Sequence, residues 1–206
     1  PKKVPILEDD ETNPTNTYGE TKLTMEKMMK WVNKANGIKF VSLRYFNVAG
    51  ALEDGSIGED HSPETHLIPL ILQVPLKKRE HITVFGDDYP TEDGTCIRDY
   101  IHVLDLADAH IKALNYLRAG NESNIFNLGN GKGFSVKEMI DATKEATGEE
   151  IKVVLGERRA GDPAILIASS EKAHNLLKWE PKYTNVKDII KTAWTWHSKN
   201  PDGFND

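Results

Sequence analysis

The chain has 206 residues, of which 38% are hydrophobic and 28% are charged, a composition typical of a globular domain. Its net charge of −6 argues against the basic face of a general nucleic-acid binder, and no apolar run approaches the ~20 residues of a membrane helix. The single cysteine, Cys96, excludes an internal disulfide and fits a reducing compartment. We therefore predict a cytoplasmic protein with neither nucleic-acid nor membrane partners.

The chain begins at Pro1 rather than at an initiator methionine, and residues 1–15 have the character of the end of a longer loop. We expect a fragment. A capping box with Thr17 as the cap and Glu20 reaching back predicts a helix to about residue 36, ended by Gly37. The stretch that follows predicts a strand over 39–45, a loop over 46–64 and a short apolar helix over 67–76.

The remaining elements continue the alternation of strands and helices. A second capping box, Ser135 with Glu138, opens one of the helices. The predicted strands are 82–85, 125–128 and 151–155, and the predicted helices are 104–118, 135–147, 170–177 and 186–198. This order predicts an α/β fold, with the end of a Rossmann-like parallel sheet in 1–50. A smaller α/β substrate-binding lobe would occupy 51–206, with some segments returning to the first part.

A long polar loop begins at Phe85 and ends at Arg98, and an apolar strand follows it to about Val103. Such a loop is costly to order, and long ordered loops usually carry function. Arg98, Arg158 and Arg159 could be paired surface residues. Taken together with the loop, they favour a diphosphate clamp, because guanidinium groups match phosphate oxygens.

Tyr18 and Lys22 are four residues apart and share one face of the first helix. An ammonium group beside a phenol stabilises the phenolate and makes tyrosine a usable base. Tyr183 and Lys187 have the same spacing, so spacing alone does not decide between the pairs. Only Tyr18 is followed by a strand with a polar end at Asn47, where ligands of parallel sheets bind.

Two other patterns predict no ligand. The glycine-rich segment 129–133 lacks the last glycine of a dinucleotide fingerprint, since Phe134 takes its place, and we interpret it as a strand-to-helix turn. The seven histidines show no pair at zinc-ligand spacing with a third ligand nearby, so we expect no metal.

The segments 18–22, 44–50 and 85–105 resemble the UDP-glucose 4-epimerases of the extended short-chain dehydrogenase/reductase family. The resemblance continues through 126–129, 158–162 and 194–196 and so covers essentially the whole chain. It implies that NAD oxidises C4 of a UDP-hexose, that the 4-keto sugar turns over, and that hydride returns to the other face. UDP-glucose and UDP-galactose would be interconverted in this way by a homodimer.

The resemblance also implies residue roles. Tyr18 would be the acid/base, Lys22 would hold the nicotinamide ribose, and Tyr45 and Phe46 would lie beside the nicotinamide. The substrate-binding residues would be Asn47, His66, Leu67, Thr83, Val84, Phe85, Arg98, Arg159, Asp162 and Leu166. Thr65 would belong to the segment around His66 that grips the diphosphate.

Three departures from the family pattern matter. The glycine-rich NAD fingerprint and the serine that precedes the tyrosine are absent from these residues, so we expect the fragment alone to be inactive. Thr65 and His66 replace paired asparagines of some relatives. Leu166 replaces a bulky tyrosine, which predicts tolerance of UDP-N-acetylhexosamines. The alternatives are another sugar-nucleotide enzyme, a dehydratase or decarboxylase, or a non-catalytic fragment that binds UDP-sugars.

Overall fold

A computed structural model describes residues 1–159 and 161–204. Its elements, in chain order, are α1 (Thr17–Asn36), β1 (Val41–Tyr45), β2 (Asn47–Ala49), α2 (Leu67–Leu72), β3 (Ile82–Phe85), β4 (Ile97–Arg98), β5 (Tyr100–His102), α3 (Val103–Arg118), β6 (Asn124–Leu128), β7 (Phe134–Ser135), α4 (Val136–Thr147), β8 (Val153–Gly156), β9 (Ile165–Leu166), α5 (Glu171–Leu177) and α6 (Val186–Lys199). The predicted mixture of helices and strands is confirmed. Among these helices, none combines the length and the apolarity needed to cross a bilayer.

Most strand pairs are parallel and join segments that are distant in sequence. β1 pairs with β6, β2 with β5 and β3 with β8, all in parallel. β4 lies between β7, which is antiparallel to it, and β9, which is parallel. Parallel strands need long crossover connections, and the intervening helices provide them. The pairing of β1 with β6 brings 124–128 back beside the first 50 residues, while the exact domain division stays a prediction.

Two apolar clusters hold these elements together. One packs α2, α4 and α6 around β3, with Leu72, Met139 and Ile189 fully buried. The other packs β1 and β6 against α3 and α5, with Phe126 and Trp179 fully buried. Each aliphatic or aromatic side chain buried in this way contributes about 1.5–3 kcal/mol of transfer free energy. The two clusters fix the strands whose ends form the site described below.

The start of α1 differs from the prediction by one residue. The cap is Asn16, whose backbone is extended and whose Oδ1 accepts a hydrogen bond from Gly19 N at 2.8 Å. Thr17 is already helical, so its predicted role as the cap was wrong. At the other end Gly37 has φ of 70°, a left-handed conformation that glycine adopts at low cost, as predicted.

Three other bounds also differ. The predicted loop over 46–64 contains β2, which forms only because β5 supplies its partner strand from 50 residues further along. The helix predicted to reach residue 76 ends at Leu72, because Pro75 disfavours a helical conformation at the residue before it. The strand predicted over 151–155 begins later in the structure, because β8 starts at Val153, where its partner β3 sets the register.

Two buried polar groups are satisfied within the fold. Glu26 of α1 receives two hydrogen bonds of 2.7 Å from Arg44 of β1, which hold the pKa of Glu26 below its usual range. His102 is fully buried, and its Nδ1 accepts a hydrogen bond from Leu104 N at 3.1 Å, so Nε2 carries the proton donated to Thr192. Burial lowers the pKa of His102, which favours this neutral form.

Candidate functional site

A cavity of about 410 Å³ opens where the carboxyl ends of several strands meet the start of α2. This volume is within the usual range for small-ligand sites. The lining comes from β2, the segment 65–70, β3, β4, β5 and the residues Arg159 and Asp162. Eight residues that the sequence assigned to the substrate line it: Asn47, His66, Leu67, Thr83, Phe85, Arg98, Arg159 and Asp162. Residues spread over more than 100 positions therefore meet in one place.

The cavity concentrates positive charge in an acidic protein. Only six arginines occur in the chain, and three of them, Arg79, Arg98 and Arg159, line this cavity. Asp162 is the one carboxylate among the described lining residues. Arginines of this kind suit phosphate oxygens, and their excess over carboxylates favours an anionic ligand. Sequence reasoning missed Arg79, which follows α2 with no motif around it.

Arg98 is held in place before any ligand arrives. Its side chain is only 15% exposed, and its Nη1 donates to Ile97 O at 2.9 Å and to Pro163 O at 2.8 Å. Its Nη2 lies 3.6 Å from Asp162 Oδ1. Because two carbonyls and one carboxylate fix the guanidinium plane, binding an anion would cost little side-chain entropy.

The paired arginines 158 and 159 have different environments. Arg159 lies over the ring of Phe85, 4.0 Å from its centroid, and faces the cavity. Arg158 lies over the ring of Tyr89 and donates to Asp88 Oδ1 at 2.5 Å, outside the cavity lining. Of the three arginines predicted to form a diphosphate clamp, Arg98 and Arg159 line the cavity and Arg158 does not.

β3 forms the base of the cavity. Thr83 and Phe85 line it, while the alternate residue Val84 is buried in the first apolar cluster. Any contact of Val84 with a ligand would have to use its backbone. An exposed aromatic ring beside a threonine hydroxyl offers stacking and one polar contact, which suits a planar heterocycle.

The polar loop that follows β3 is ordered by its own hydrogen bonds. Tyr89 N donates to Gly94 O at 2.9 Å, and Thr95 N donates to Asp93 Oδ1 at 2.8 Å. Asp93 also accepts from Ser135 Oγ at 2.5 Å, which ties the loop to the start of α4. Its middle does not line the described cavity. Its two ends, at Phe85 in β3 and Arg98 in β4, do line it.

Asn47 occupies the wall of the cavity next to the loop end. Its Nδ2 donates to Asp99 O at 3.0 Å, which orients the amide and leaves its oxygen available. Asn47 pairs in register with Tyr100 of β5, a lining residue that sequence reasoning missed. Cys96 also lines the cavity, and burial raises the pKa of its thiol.

Tyr18 and Lys22 adopt the predicted arrangement on α1. Lys22 Nζ lies 5.0 Å from the centroid of the Tyr18 ring, and the ring is 70% exposed. Tyr45, at the end of β1, is also exposed, and Phe46 is the single residue between β1 and β2. Within the described residues these four side chains lie outside the cavity lining. Tyr45 and Phe46 directly precede Asn47 in the chain, and Tyr18 and Lys22 belong to the first turns of α1.

The segment 129–133 is a turn between β6 and β7, as predicted. The carboxylate of the fully buried Asp99 occupies it, accepting from Asn130 N at 2.6 Å and from Ala168 N at 3.2 Å. A Cβ on Gly129 would lie 2.2 Å from Asp99 Oδ2, so only glycine fits there. Since a carboxylate of the protein already uses these amides, the turn is not available to cradle a phosphate.

Leu166 is half-buried in β9, in register with Arg98, and lies outside the described cavity lining. Asp99 N donates to its carbonyl at 3.0 Å. Its predicted contact with the sugar therefore remains a prediction.

Comparison with known proteins gives consistent matches. Residues 1–129 match the model of the NAD dependent epimerase/dehydratase family. A UDP-glucose 4-epimerase of Lacticaseibacillus casei is 60% identical over all 206 residues, which correspond to 62% of its own length. A crystal structure of UDP-glucose 4-epimerase at 60% identity superposes with a TM-score of 0.96, covering 98% of this chain and 61% of that one.

A further solved structure carries ligands. UDP-glucose 4-epimerase from Bifidobacterium longum in complex with NAD+ and UDP is 39% identical, with a TM-score of 0.91, covering 99% of this chain and 61% of that one. The chain thus spans about three fifths of the length of the relatives that it matches. These likenesses confirm the α/β fold at the level of whole architecture.

Proposed function

Because the chain belongs to the NAD dependent epimerase/dehydratase family, we propose that it forms the UDP-sugar-binding part of a UDP-glucose 4-epimerase. The observation that carries the proposal is the cavity itself. Three arginines and the aromatic ring of Phe85 line it, in a chain whose net charge is −6. Substrates of the intact protein would be UDP-glucose and UDP-galactose.

The nucleotide end of the substrate fits the wall formed by β3, β4 and the segment 159–162. Phe85 and Thr83 would hold the uracil, and Arg98 and Arg159 would hold the diphosphate. The segment 65–67 also lines the cavity, and backbone N–H groups at the start of α2 would donate hydrogen bonds to the phosphates. Because these guanidinium groups would contact the diphosphate, which both sugar epimers share, they would bind the two epimers equally.

The chemistry would take place at the edge formed by Tyr18, Lys22, Tyr45 and Phe46. This set would suit a nicotinamide cofactor, because Lys22 lies against the exposed Tyr18 ring and Tyr45 exposes its ring at the end of the parallel strand β1. NAD, when bound, supplies reversible hydride transfer at a carbinol carbon. Tyr18 would remove the proton of the 4-hydroxyl and later return it, while Lys22 would stabilise the phenolate.

The fold also serves other reactions of sugar nucleotides, such as dehydration and decarboxylation, and a chain of this length could be a binding module. Product analysis separates these alternatives, because only epimerisation returns an isomer of unchanged mass. Tolerance of UDP-N-acetylhexosamines, proposed from the small Leu166, is tested by the same assay with UDP-GlcNAc. Absence of any turnover would contradict it.

The intact protein is proposed to be a cytoplasmic homodimer. One face of α1 exposes Met25, Met28 and Trp31, and Trp31 is 67% exposed. Such an apolar face needs a partner surface, and a second copy would provide one. Sedimentation of the wild-type chain and of a Trp31→Glu variant tests this proposal, because the charged variant should shift to monomer.

The nucleotide site is tested first by calorimetric titration of the 206-residue chain with UDP. We expect one site per chain, competition by UDP-glucose, and no competition by ADP at equal concentration, since a purine does not match the base of the cavity. Binding of ADP as tight as UDP would contradict the assignment of Thr83 and Phe85.

Catalysis is tested on a longer protein that contains this chain after a dinucleotide-binding segment. Conversion of UDP-galactose to UDP-glucose is followed by a coupled oxidation of the UDP-glucose formed. Tyr18→Phe should reduce kcat by about 10²–10⁴-fold with little change in KM, as expected for loss of an acid/base. Full activity of this variant would exclude Tyr18 from the chemistry.

A further inference from the structure

Four potential metal ligands gather in the eight-residue segment 59–66, and one of the four, His66, also lines the ligand cavity. They are Glu59, His61, Glu64 and His66, and one ligand atom of each lies within 4.8 Å of all the others. His66 Nδ1 is 2.7 Å from Glu59 Oε1 and 3.0 Å from Glu64 Oε1. His61 Nδ1 is 3.6 Å from Glu64 Oε1. The sequence predicted no metal, because no histidine pair at zinc-ligand spacing has a third ligand nearby, but the structure brings His61 and His66 together with two carboxylates.

The distances are close to those of a coordination sphere. A tetrahedral zinc ion with bonds of about 2.0–2.1 Å holds its ligand atoms about 3.3 Å apart. Two of the three measured pairs are already closer than this value, and the third exceeds it by a few tenths of an ångström. Side-chain rotations of the exposed histidines would draw the remaining pairs, at most 4.8 Å apart, onto one ion, which would replace the contacts of His66 Nδ1 with the two carboxylates.

The protein holds the carboxylate of Glu64 and the backbone of Glu59. Glu64 is only 10% exposed, and its Oε1 accepts from Thr65 N at 2.6 Å and from His66 N at 2.7 Å. The backbone of Glu59 is fixed because its carbonyl accepts from Trp196 Nε1 at 3.0 Å. The preceding Gly58 lets the Trp196 ring approach, since a Cβ there would lie 2.1 Å from it. The Glu64 carboxylate therefore needs little reorganisation, and the backbone of Glu59 is already in place.

The local charge also favours a cation. Two carboxylates and two imidazoles meet at one point, so the group offers negative charge and nitrogen donors together. A divalent ion would neutralise the pair and use the imidazole nitrogens.

We propose that Glu59, His61, Glu64 and His66 form a binding site for a divalent transition-metal ion of the zinc type. Imidazole nitrogens favour zinc, nickel or copper, whereas magnesium and calcium prefer all-oxygen sites. The ion would fix the segment that leads into α2. Since His66 and Thr65 also line the cavity, it would hold one wall of the ligand site. The inference is independent of the reaction proposed above.

Calorimetric titration of chelator-treated chain with zinc chloride tests the site. We expect one ion per chain, with an affinity that falls at least tenfold in His61→Ala. His61 is suited to this test because its side chain is 47% exposed and lies outside the cavity lining, so its loss should spare the fold and the UDP site. His174→Ala is the matched control, because His174 is an equally exposed histidine 3.5 Å from Glu180.

The outcomes are decisive in either direction. Tenfold loss in His61→Ala and in Glu64→Gln, with less than twofold loss in His174→Ala, supports the site. So does a cobalt(II) complex with the intense visible bands of four-coordination that His61→Ala lacks. Absence of saturable zinc binding, equal losses in His61→Ala and His174→Ala, or displacement of zinc by millimolar magnesium would overturn it. The affinity of metal-free His61→Ala for UDP should equal that of the wild-type chain. This measurement shows separately whether the metal site or the nucleotide site has failed.

Discussion

Replacing Arg159 by alanine should weaken UDP binding, whereas the same change at Arg158 should not. The two residues are adjacent and both exposed, but only Arg159 lines the cavity, over the ring of Phe85. Arg158 is occupied by Asp88 and by the Tyr89 ring. The pair therefore forms a matched test of the structure.

The size of the effect follows from the exposure of Arg159. A hydrogen bond between two charged groups contributes about 1.5–3 kcal/mol when shielded from water. Solvent screening of an exposed side chain reduces this to about 1–2 kcal/mol. At 1.4 kcal/mol per tenfold change, Arg159→Ala should raise the Kd for UDP about 5- to 30-fold. Arg158→Ala should change it less than about twofold.

Calorimetric titration with UDP at two salt concentrations gives both numbers. The loss in Arg159→Ala should be smaller at the higher salt concentration, because ions screen a contact with phosphate. Uridine, which lacks phosphates, should bind both variants alike if Arg159 acts on the diphosphate. An equal loss in both variants, or a larger loss in Arg158→Ala, would refute the placement of the clamp.

Three further predictions concern stability, measured by urea unfolding. Gly129→Ala should destabilise the fold by about 2–5 kcal/mol, because the added Cβ would clash with the hydrogen-bonded carboxylate of Asp99. Gly131→Ala meets open space and should destabilise by only about 1–2 kcal/mol, because alanine is strained at its positive φ. A larger effect at Gly131 than at Gly129 would contradict the packing around Asp99. Glu26→Ala should cost about 2–4 kcal/mol, since it leaves a part-buried guanidinium unpaired, and a change below about 0.5 kcal/mol would show that water replaces the pair. Because the pKa of His102 is lowered in the fold, the unfolded chain binds the proton more readily, so the free energy of unfolding should fall as pH drops below about 6.5. For this one group the decrease is at most about 1.4 kcal/mol per pH unit. His102→Asn, which keeps a side-chain acceptor, should lose less stability per pH unit, and the same pH dependence in this variant would exclude His102 as the cause.

Local sequence patterns determined most of the elements. Ser135 with Glu138 forms the capping box that opens α4, and Asn185 caps α6, because side-chain bonds of this kind close within three residues. Tyr18 and Lys22 meet because residues four apart on a helix always share a face. The family motifs likewise located eight residues that line one cavity. Such information is contained in short stretches and needs no knowledge of the rest of the chain.

Tertiary structure decided what each residue faces. β2 exists because β5 pairs with it, and Val84 is withdrawn from the cavity because its strand alternates between two faces. The adjacent arginines 158 and 159 differ in environment, because Arg158 pairs with Asp88 whereas Arg159 lines the cavity. The four metal-ligand candidates of 59–66 converge only where α6 anchors the segment through Trp196. The sequence therefore determined the elements and the family, while contacts between distant segments decided which side chains share a ligand.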